Sequence, residues 1–316
     1  MRYLRCELHT HTVWSDGSMT PEELAANAAA RGYDAIALTD HNTVFAYPRV
    51  RAAAEKLGLT VVPGIEWTTF YGHLTVLGGR SPVDWREVAP ETVNAEIVHA
   101  TEAGDAVVLC HPARIGGAIC CGCHNDFDIA PGVLSGMEVW SRYRESRDPA
   151  NAEAERMWLA RLDAGEKIAA VYGLDWHRIE KGDRSYAATY VGADACTPDA
   201  IVEGVRRGRT YISAGVELDI RLTAGGRAFE LGDGVPEGEV RLTVKATPNA
   251  DYAREFGVEI GGIEVAGSSF TAAAAGCELD ITAHARKGYF FVRVRGRIDG
   301  EESELALTSP FYTEGR

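Results

Sequence analysis

Short apolar runs alternate with amphipathic segments along the first two thirds of the chain. Runs rich in aliphatic residues, such as residues 33–38 and 106–110, predict buried strands. Helix-start signals lie between the runs: Thr20 supplies an N-cap, Pro21 a first-turn proline and Glu23 the glutamate of a capping box. This alternation predicts βα units and a mostly parallel sheet.

The predicted elements can be given by range. Strands are predicted at residues 2–8, 33–38, 60–65, 73–77, 106–110, 136–140 and 168–172. Helices are predicted at residues 24–31, 48–57, 91–103, 149–164 and 198–207.

The pattern changes after Ala214. Alternating or β-branched runs, divided by Gly-rich turns, occupy residues 216–222, 239–246, 258–265, 278–283 and 289–295. Short strands at this spacing predict a small antiparallel β-sandwich. We therefore expect two domains, an α/β domain over residues 1–214 and a β-sandwich over residues 215–316.

Polar residues at strand ends decide which α/β architecture to expect. Seven of them fall at or just past the carboxyl ends of predicted strands: His9, His11, His41, Glu66, His111, Asp175 and His177. In an α/β barrel those ends converge on one mouth, where residues distant in sequence meet. A barrel of about seven strands fits this distribution better than an open sheet does.

Charge narrows the range of partners. The chain has 46 acidic and 32 basic side chains, a formal charge of −14, which repels nucleic acid duplexes and anionic membrane surfaces. No apolar run approaches the ~18 residues of a membrane span, and no basic, hydrophobic leader precedes Cys6. We expect a cytoplasmic protein.

The strand-end residues are metal-ligand types. His9 and His11 are two residues apart and so share a face of an extended chain, where one metal ion could bind both. Asp175 and His177 repeat this spacing, while Asp16, His41, Glu66, His73 and His111 add further imidazoles and carboxylates. His99, His124 and His284 lack such neighbours and are expected to be structural or exposed.

At this point the motifs resemble a known family. HTHTVWSDG, ALTDHNT, GIEW, HLTVLG, LCHPAR, MEVW and GLDWH, in this order, are similar to the PHP (polymerase and histidinol phosphatase) superfamily of metal-dependent phosphoesterases. The segment from RTYISAG to TSPFYT resembles the β-rich extension of the CehA/McbA branch. The resemblance implies a distorted (β/α)7 barrel, similar to a TIM barrel, with two or three divalent metal ions at its mouth.

The resemblance also implies a ligand set. His9, His11, Glu66 and Asp175 would hold a first metal. Glu66 would bridge to a second, completed by His73 and His111, with His99 as the fallback for His73. Asp16, His41 and His177 would hold a third. Zinc, manganese and iron all suit these ligands.

Such a centre points to hydrolysis by a metal-bridging hydroxide, with Glu66 and Asp175 as catalytic metal-bound carboxylates. Asp40 is either a second carboxylate that orients an imidazole or a cap of the next turn. Arg114, Arg142 and Arg178 follow strand ends and suggest a phosphate clamp. The alternative is that these arginines are solvated loop charges.

Three functions remain open. The first is a phosphoesterase acting on a small phosphorylated metabolite or nucleotide. The second is a carbamate or carboxyl-ester hydrolase of CehA/McbA type, and the third a non-catalytic binding module. Assembly into a homo-oligomer is left open.

Overall fold

The chain folds as the mixed α/β protein that the sequence predicts, with a β-rich C-terminal region. The computed structural model describes residues 1–116, 123–142, 148–179, 187–248, 256–261, 269–272, 277–298 and 301–314. The barrel strands are β1 (Arg2–Thr10), β2 (Ala35–Leu38), β3 (Thr60–Thr68), β4 (His73–Leu77), β5 (Ala106–Leu109), β6 (Gly136–Ser141) and β7 (Ala169–Gly173). The helices are α1 (Pro21–Ala30), α2 (Tyr47–Glu55), α3 (Val93–Glu102), α4 (Pro149–Asp163) and α5 (Pro198–Arg206), with a 3₁₀ turn at Trp85–Glu87.

The predicted helix-start signals operate as expected. The Thr20 side chain accepts a hydrogen bond from the Glu23 amide, and the Glu23 carboxylate accepts one from the Thr20 amide. The Thr197 side chain accepts from the Ala200 amide and caps α5, and the Asp148 side chain accepts from the Ala150 amide and caps α4, each just before a proline at the first helical position. These signals fix where each helix begins, within a few residues of the predicted starts.

Seven consecutive strands of the described chain form the barrel wall in the order of the sequence, β1 to β7. Strands β1, β2 and β3 run parallel, as do β5, β6 and β7, whereas β4 is antiparallel to both of its neighbours. The amino end of β4 therefore lies beside the carboxyl ends of the other strands. This inversion brings His73, the first residue of β4, to the same mouth as the other predicted ligands.

Two apolar clusters fill the space on either side of the wall. Ile36 and Leu38 belong to a large cluster with α1 to α4, while Ala35 and Ala37 belong to a smaller one with Ile201 of α5. Because successive strand residues face opposite sides, the second cluster lies inside the barrel. It closes the barrel floor beneath the mouth.

Among the described residues, the backbone hydrogen bonds between β1 and the segment that follows β7 lie at the mouth. There the amide of Trp176 donates to the carbonyl of His9, and the amide of His11 donates to the carbonyl of Trp176. Below this point hydroxyl groups bond the free edge of β7: Tyr312 accepts from the Ile168 amide, Ser309 accepts from the Ala170 amide, and Thr189 bonds both the amide and the carbonyl of Tyr172. Side chains thus replace a neighbouring strand along this edge.

The sheet continues on the other side of β1. Strands β8 (Ala187–Ala193) and β9 (Thr210–Ala214), which the sequence pattern missed, pair antiparallel there. Strand β18 (Glu301–Thr308) then pairs with β9. The C-terminal region is therefore hydrogen-bonded directly to the barrel sheet.

The C-terminal region is β-rich, as predicted. Among the described residues, β10 (Val216–Ala224), β11 (Arg227–Phe229), β13 (Gly238–Pro248) and β16 (Cys277–Ala285) form a four-stranded sheet. Strands β12 (Gly234–Pro236), β14 (Phe256–Gly261), β15 (Ser269–Ala272), β17 (Gly288–Ile298) and β19 (Phe311–Glu314) join the sheet of β18. The predicted domain boundary falls between β9 and β10. The division into two domains stays a prediction, as does the description of the second domain as a sandwich.

None of the helices in the described part of the chain combines the length and the apolar character that a bilayer crossing requires.

The β7 edge gives a first prediction. Thr189→Val removes the one hydroxyl that bonds both backbone groups of Tyr172, so we expect the free energy of unfolding to fall by roughly 1–3 kcal/mol. Thr223→Val, the same change on the exposed face of β10, is the matched control and should change it by less than about 0.5 kcal/mol. Urea denaturation of both variants provides the comparison. Equal effects would show that the hydroxyl edge is not a stabilising feature.

Candidate metal centre

The structure brings all nine predicted ligand residues to the barrel mouth. They lie at or near the mouth end of β1, β2, β3, β4, β5 and β7 or in the loops that follow. Six of them line a cavity of about 480 Å³: Asp16, His41, His73, His111, Asp175 and His177. The other three, His9, His11 and Glu66, are fully buried at its base.

Glu66 is at the centre of the cluster. Its Oε2 lies 3.2 Å from Nε2 of His9, 3.3 Å from Nε2 of His11 and 2.9 Å from Nδ1 of His41. Its Oε1 lies 2.8 Å from Nδ1 of His73 and 3.5 Å from Nε2 of His111. Two carboxylate oxygens thus face five imidazoles, the arrangement expected of a residue that bridges metal ions.

Two four-residue groups offer ligand atoms close enough together to share one ion. The first consists of His9, His11, Glu66 and Asp175, and the second of His11, Asp16, His41 and His177. In the first group Asp175 Oδ1 lies 3.2 Å from His11 Nε2, and in the second Asp16 Oδ1 lies 3.0 Å from His177 Nε2. A third group joins His41, Glu66 and His73. How these ligands are divided among particular ions stays a prediction.

Unpartnered buried atoms test whether the cluster fits metal ions. Nε2 of His9, Nε2 of His11 and Oε2 of Glu66 are buried and have no hydrogen-bond partner, although both nitrogens lie within 3.3 Å of the Glu66 oxygen. Buried polar atoms without partners are costly, and a divalent cation would satisfy all three at once. The donor set therefore fits the implied metals.

The pKa values follow from this crowding. Burial lowers the pKa of His11 to about 4, whereas for His41 burial is outweighed by Asp16 and Glu66, which raise its pKa to about 10. Burial opposes ionisation of Glu66, but His9, His111 and the other imidazoles hold its pKa well below the usual value. In the metal-free protein, protons on the outer histidines partly take the place of cations.

Backbone strain is concentrated at the same mouth. The four non-glycine residues of the described chain with positive φ are Asn42, His111, Arg142 and Asp175, each just past a barrel strand. Two of them are predicted ligands, His111 with φ of 26° and Asp175 with φ of 54°. Such conformations cost about 1–3 kcal/mol each, and they tend to cluster at functional sites.

Asp40 orients a loop, since its side chain accepts hydrogen bonds from Thr12 and Ser15. Its oxygens accept hydrogen bonds from the amide and hydroxyl of Thr12 and from the hydroxyl of Ser15, at 2.6, 2.7 and 2.9 Å. The fully buried carboxylate thereby holds the turn that carries Asp16. Its predicted catalytic role stays a prediction, and its contacts favour positioning.

The three predicted clamp arginines occupy different positions. Arg142 and Arg178 line the cavity, and an amino group of Arg142 lies 3.5 Å from Asp175 Oδ2. Arg114 does not line it; its guanidinium donates to the hydroxyl and carbonyl of Ser141 and to Asp148. These contacts tie the loop after β5 to the end of β6 and the start of α4.

Two buried carboxylates were missed by sequence reasoning. Glu7 Oε1 accepts the amides of His9 and Leu174, which joins β1 to the loop after β7, and burial raises the pKa of Glu7 to about 8. Glu138 Oε1 lies 2.7 Å from Nδ1 of His9. A signal was available, since each is a lone carboxylate within a buried strand. The hydrogen-bond partner of each carboxylate could not be predicted from the sequence of its own strand.

Most of the predicted metal ligands lie in a part of the chain that is similar to known proteins. Residues 7–112 match the model of the PHP domain. The chain is 39% identical over 70 residues to a 3',5'-nucleoside bisphosphate phosphatase of Chromobacterium violaceum, which covers 22% of this chain and 25% of that protein. It is 41% identical over 64 residues to a phosphoribosyl 1,2-cyclic phosphate 1,2-diphosphodiesterase of Eggerthella lenta, covering 20% and 24%. These matches span only about a quarter of either relative.

A solved structure resembles the whole chain. A two-domain protein of Bacteroides vulgatus containing a predicted PHP-like metal-dependent phosphoesterase aligns over 96% of this chain and 95% of its own, with a TM-score of 0.55. The sequence identity is 16%. This likeness supports the overall fold, including the β-rich C-terminal region.

The raised pKa of His41 predicts how metal affinity changes with pH. Without metal, His41 keeps its proton up to about pH 10, and the pKa of His177 is also raised, because Asp16 and Asp175 outweigh burial. A metal ion must displace these protons, so affinity should increase with pH by up to about tenfold per unit for each proton released. Manganese titration calorimetry in buffers of different ionisation enthalpy counts those protons.

The control is His41→Gln, which should release fewer protons than the native chain. Binding that released no protons between pH 6.5 and 8.5 would contradict the assignment of His41 as a ligand.

Proposed function

We propose that the chain, whose residues 7–112 match the model of the PHP domain, is a metal-dependent phosphoesterase acting on a small phosphorylated metabolite or nucleotide. One observation carries the proposal: Glu66 lies buried among five imidazoles at the barrel mouth, with unpartnered nitrogen and oxygen atoms facing each other. This donor set suits two or three divalent ions such as zinc, manganese or iron.

The roles of the residues follow from their positions. When bound, the metal ions would lower the pKa of water and neutralise charge on the scissile group. Glu66 and Asp175 would hold the ions, together with His9 and His11 at the base of the cavity. Asp16 is more than half exposed, so it would face incoming substrate with His41 and His177.

Two arginines of the described residues line the cavity, where they would face an anionic substrate. Arg142 is half exposed and lies near Asp175, and Arg178 follows His177 by one residue. A guanidinium binds phosphate oxygens with paired N–H groups, so we assign substrate binding to these two arginines and none to Arg114. The net charge of −14 favours a small substrate over a nucleic acid duplex.

A second candidate is hydrolysis of an uncharged carbamate or carboxyl ester. The observation that favours it is the loss of Arg114 from the clamp, because its donors bond Ser141 and Asp148. Exposed apolar side chains also occur in the loops at the mouth, including Trp14, Phe45 and Phe70. These could accommodate a substrate without phosphate.

The metal centre is tested by His9→Ala combined with His11→Ala. We expect this double variant to lose at least one metal ion per chain and nearly all turnover of 4-nitrophenyl phosphate, because both imidazoles line the base of the centre. His99→Ala combined with His284→Ala is the matched control, since both of these residues are exposed. Metal analysis and initial rates are measured on both proteins. Retained activity in the first variant would place the reaction elsewhere.

The substrate class is tested by replacing arginines. Arg142→Ala and Arg178→Ala should each reduce kcat/KM for 4-nitrophenyl phosphate by roughly tenfold or more, as expected for a lost charged hydrogen bond, and spare 4-nitrophenyl acetate. Arg114→Ala is the control and should reduce stability more than kcat/KM. Unchanged kcat/KM for 4-nitrophenyl phosphate in both variants would contradict the clamp and favour the ester reaction.

A further inference from the structure

Glu138 is a buried carboxylate for which the proposed reaction has no use. It lies in the middle of β6 and is 1% exposed. Its two oxygens bond two different predicted ligands. Oε1 lies 2.7 Å from Nδ1 of His9, and Oε2 accepts the backbone amide of His111 at 2.8 Å.

The contact with His9 determines which ring nitrogen carries the proton. An ionised carboxylate can only accept hydrogen bonds, so Nδ1 of His9 must be the donor. In the neutral ring this leaves the lone pair on Nε2, which faces Glu66 at 3.2 Å and Asp175 at 3.5 Å. The tautomer imposed by Glu138 is therefore the one that presents a lone pair to a metal ion.

The contact with His111 acts on the backbone. His111 has a φ of 26°, a conformation that non-glycine residues rarely adopt. The Oε2 contact holds its amide, while Nδ1 of His111 donates to the carbonyl of Cys123 at 3.0 Å. Together these bonds turn Nε2 of His111 towards Oε1 of Glu66.

The neighbouring strand leaves room for this carboxylate. Gly173 on β7 pairs with Ser141 of β6. A Cβ atom at Gly173 would lie 2.6 Å from Cδ of Glu138, closer than real Cβ contacts allow, and 3.0 Å from Cβ of His9, which is a tight contact. The glycine is thus required for Glu138 and His9 to meet.

We propose that Glu138 is the positioning residue of the metal centre, fixing the tautomer of His9 and the backbone of His111 so that both point their Nε2 atoms at Glu66. In this role it would act through His9 and His111. The inference rests on the metal centre of the proposed function and is independent of the substrate.

The test is Glu138→Gln in the full chain, with manganese as the probe. The backbone amide of His111 can only donate, so the side-chain oxygen of the new glutamine would accept from it. The side-chain NH₂ group would then face Nδ1 of His9. His9 would have to accept there and carry its proton on Nε2, the atom that faces the metal site. We expect manganese affinity, measured by chelator competition, to fall about 10–100-fold, as for other groups that orient metal ligands.

Glu166→Gln is the matched control. Glu166 is also a buried carboxylate that bonds a backbone amide and a side chain, those of Gly132 and Arg161, and it lies before β7 at the opposite end of the barrel. Its replacement should leave manganese affinity unchanged. Urea denaturation of both metal-free variants measures any structural cost separately.

Gly173→Ala provides a second, independent variant. It leaves the chemistry of Glu138 intact but displaces the carboxylate from His9, so affinity should fall as it does in Glu138→Gln. If both variants fold and bind manganese as tightly as the native chain, the positioning role is wrong, whatever their stability. If the native chain itself binds no manganese, zinc or iron, both the inference and the proposed metal centre are overturned.

Discussion

Glu66 is a carboxylate without access to solvent, and its two oxygens face five imidazoles within 3.5 Å. A buried charge is tolerated only when it is compensated, so this side chain requires cations around it. In the metal-free chain, protonated histidines provide part of this positive charge, and bound metal ions would provide more of it. The residues at the mouth are arranged to satisfy this one carboxylate.

The fold brings the imidazoles to Glu66 through simple topology. Parallel strands place the residues after β1, β2, β5 and β7 at one end, and the inverted β4 brings His73 to the same end. At the mouth, His9 and His11 at the end of β1 exchange backbone hydrogen bonds with Trp176, which follows β7. Lower down, hydroxyls of β8 and of the C-terminal region bond the β7 edge. The β-rich region therefore helps to support the strand that precedes Asp175 and His177.

Much of this could be predicted from the sequence. The alternation of apolar runs and capped helices locates the barrel strands, and polar residues at strand ends are local features, so the candidate ligands could be chosen one by one. Strands β8 and β9 were missed because alanine, glycine and serine interrupt their apolar and β-branched runs. The inversion of β4 is also invisible in a five-residue run.

Side-chain direction and contacts across the barrel could not be predicted. Arg114 follows a strand end just as Arg142 does, yet after the unusual φ of His111 it points to Ser141 and Asp148. Glu138 and His9 are 129 residues apart, and only the three-dimensional arrangement of β6 beside the mouth end of β1 shows that they meet. Local sequence patterns identify the candidate metal ligands, whereas the contacts that orient these ligands depend on the whole fold.

The most direct test of the account is an anomalous difference map from crystals grown with manganese. The account predicts at least two peaks bridged by the carboxylate of Glu66, one of them also bound by His9, His11 and Asp175. A map with no peak within bonding distance of Glu66, at manganese concentrations that saturate binding in solution, would contradict it.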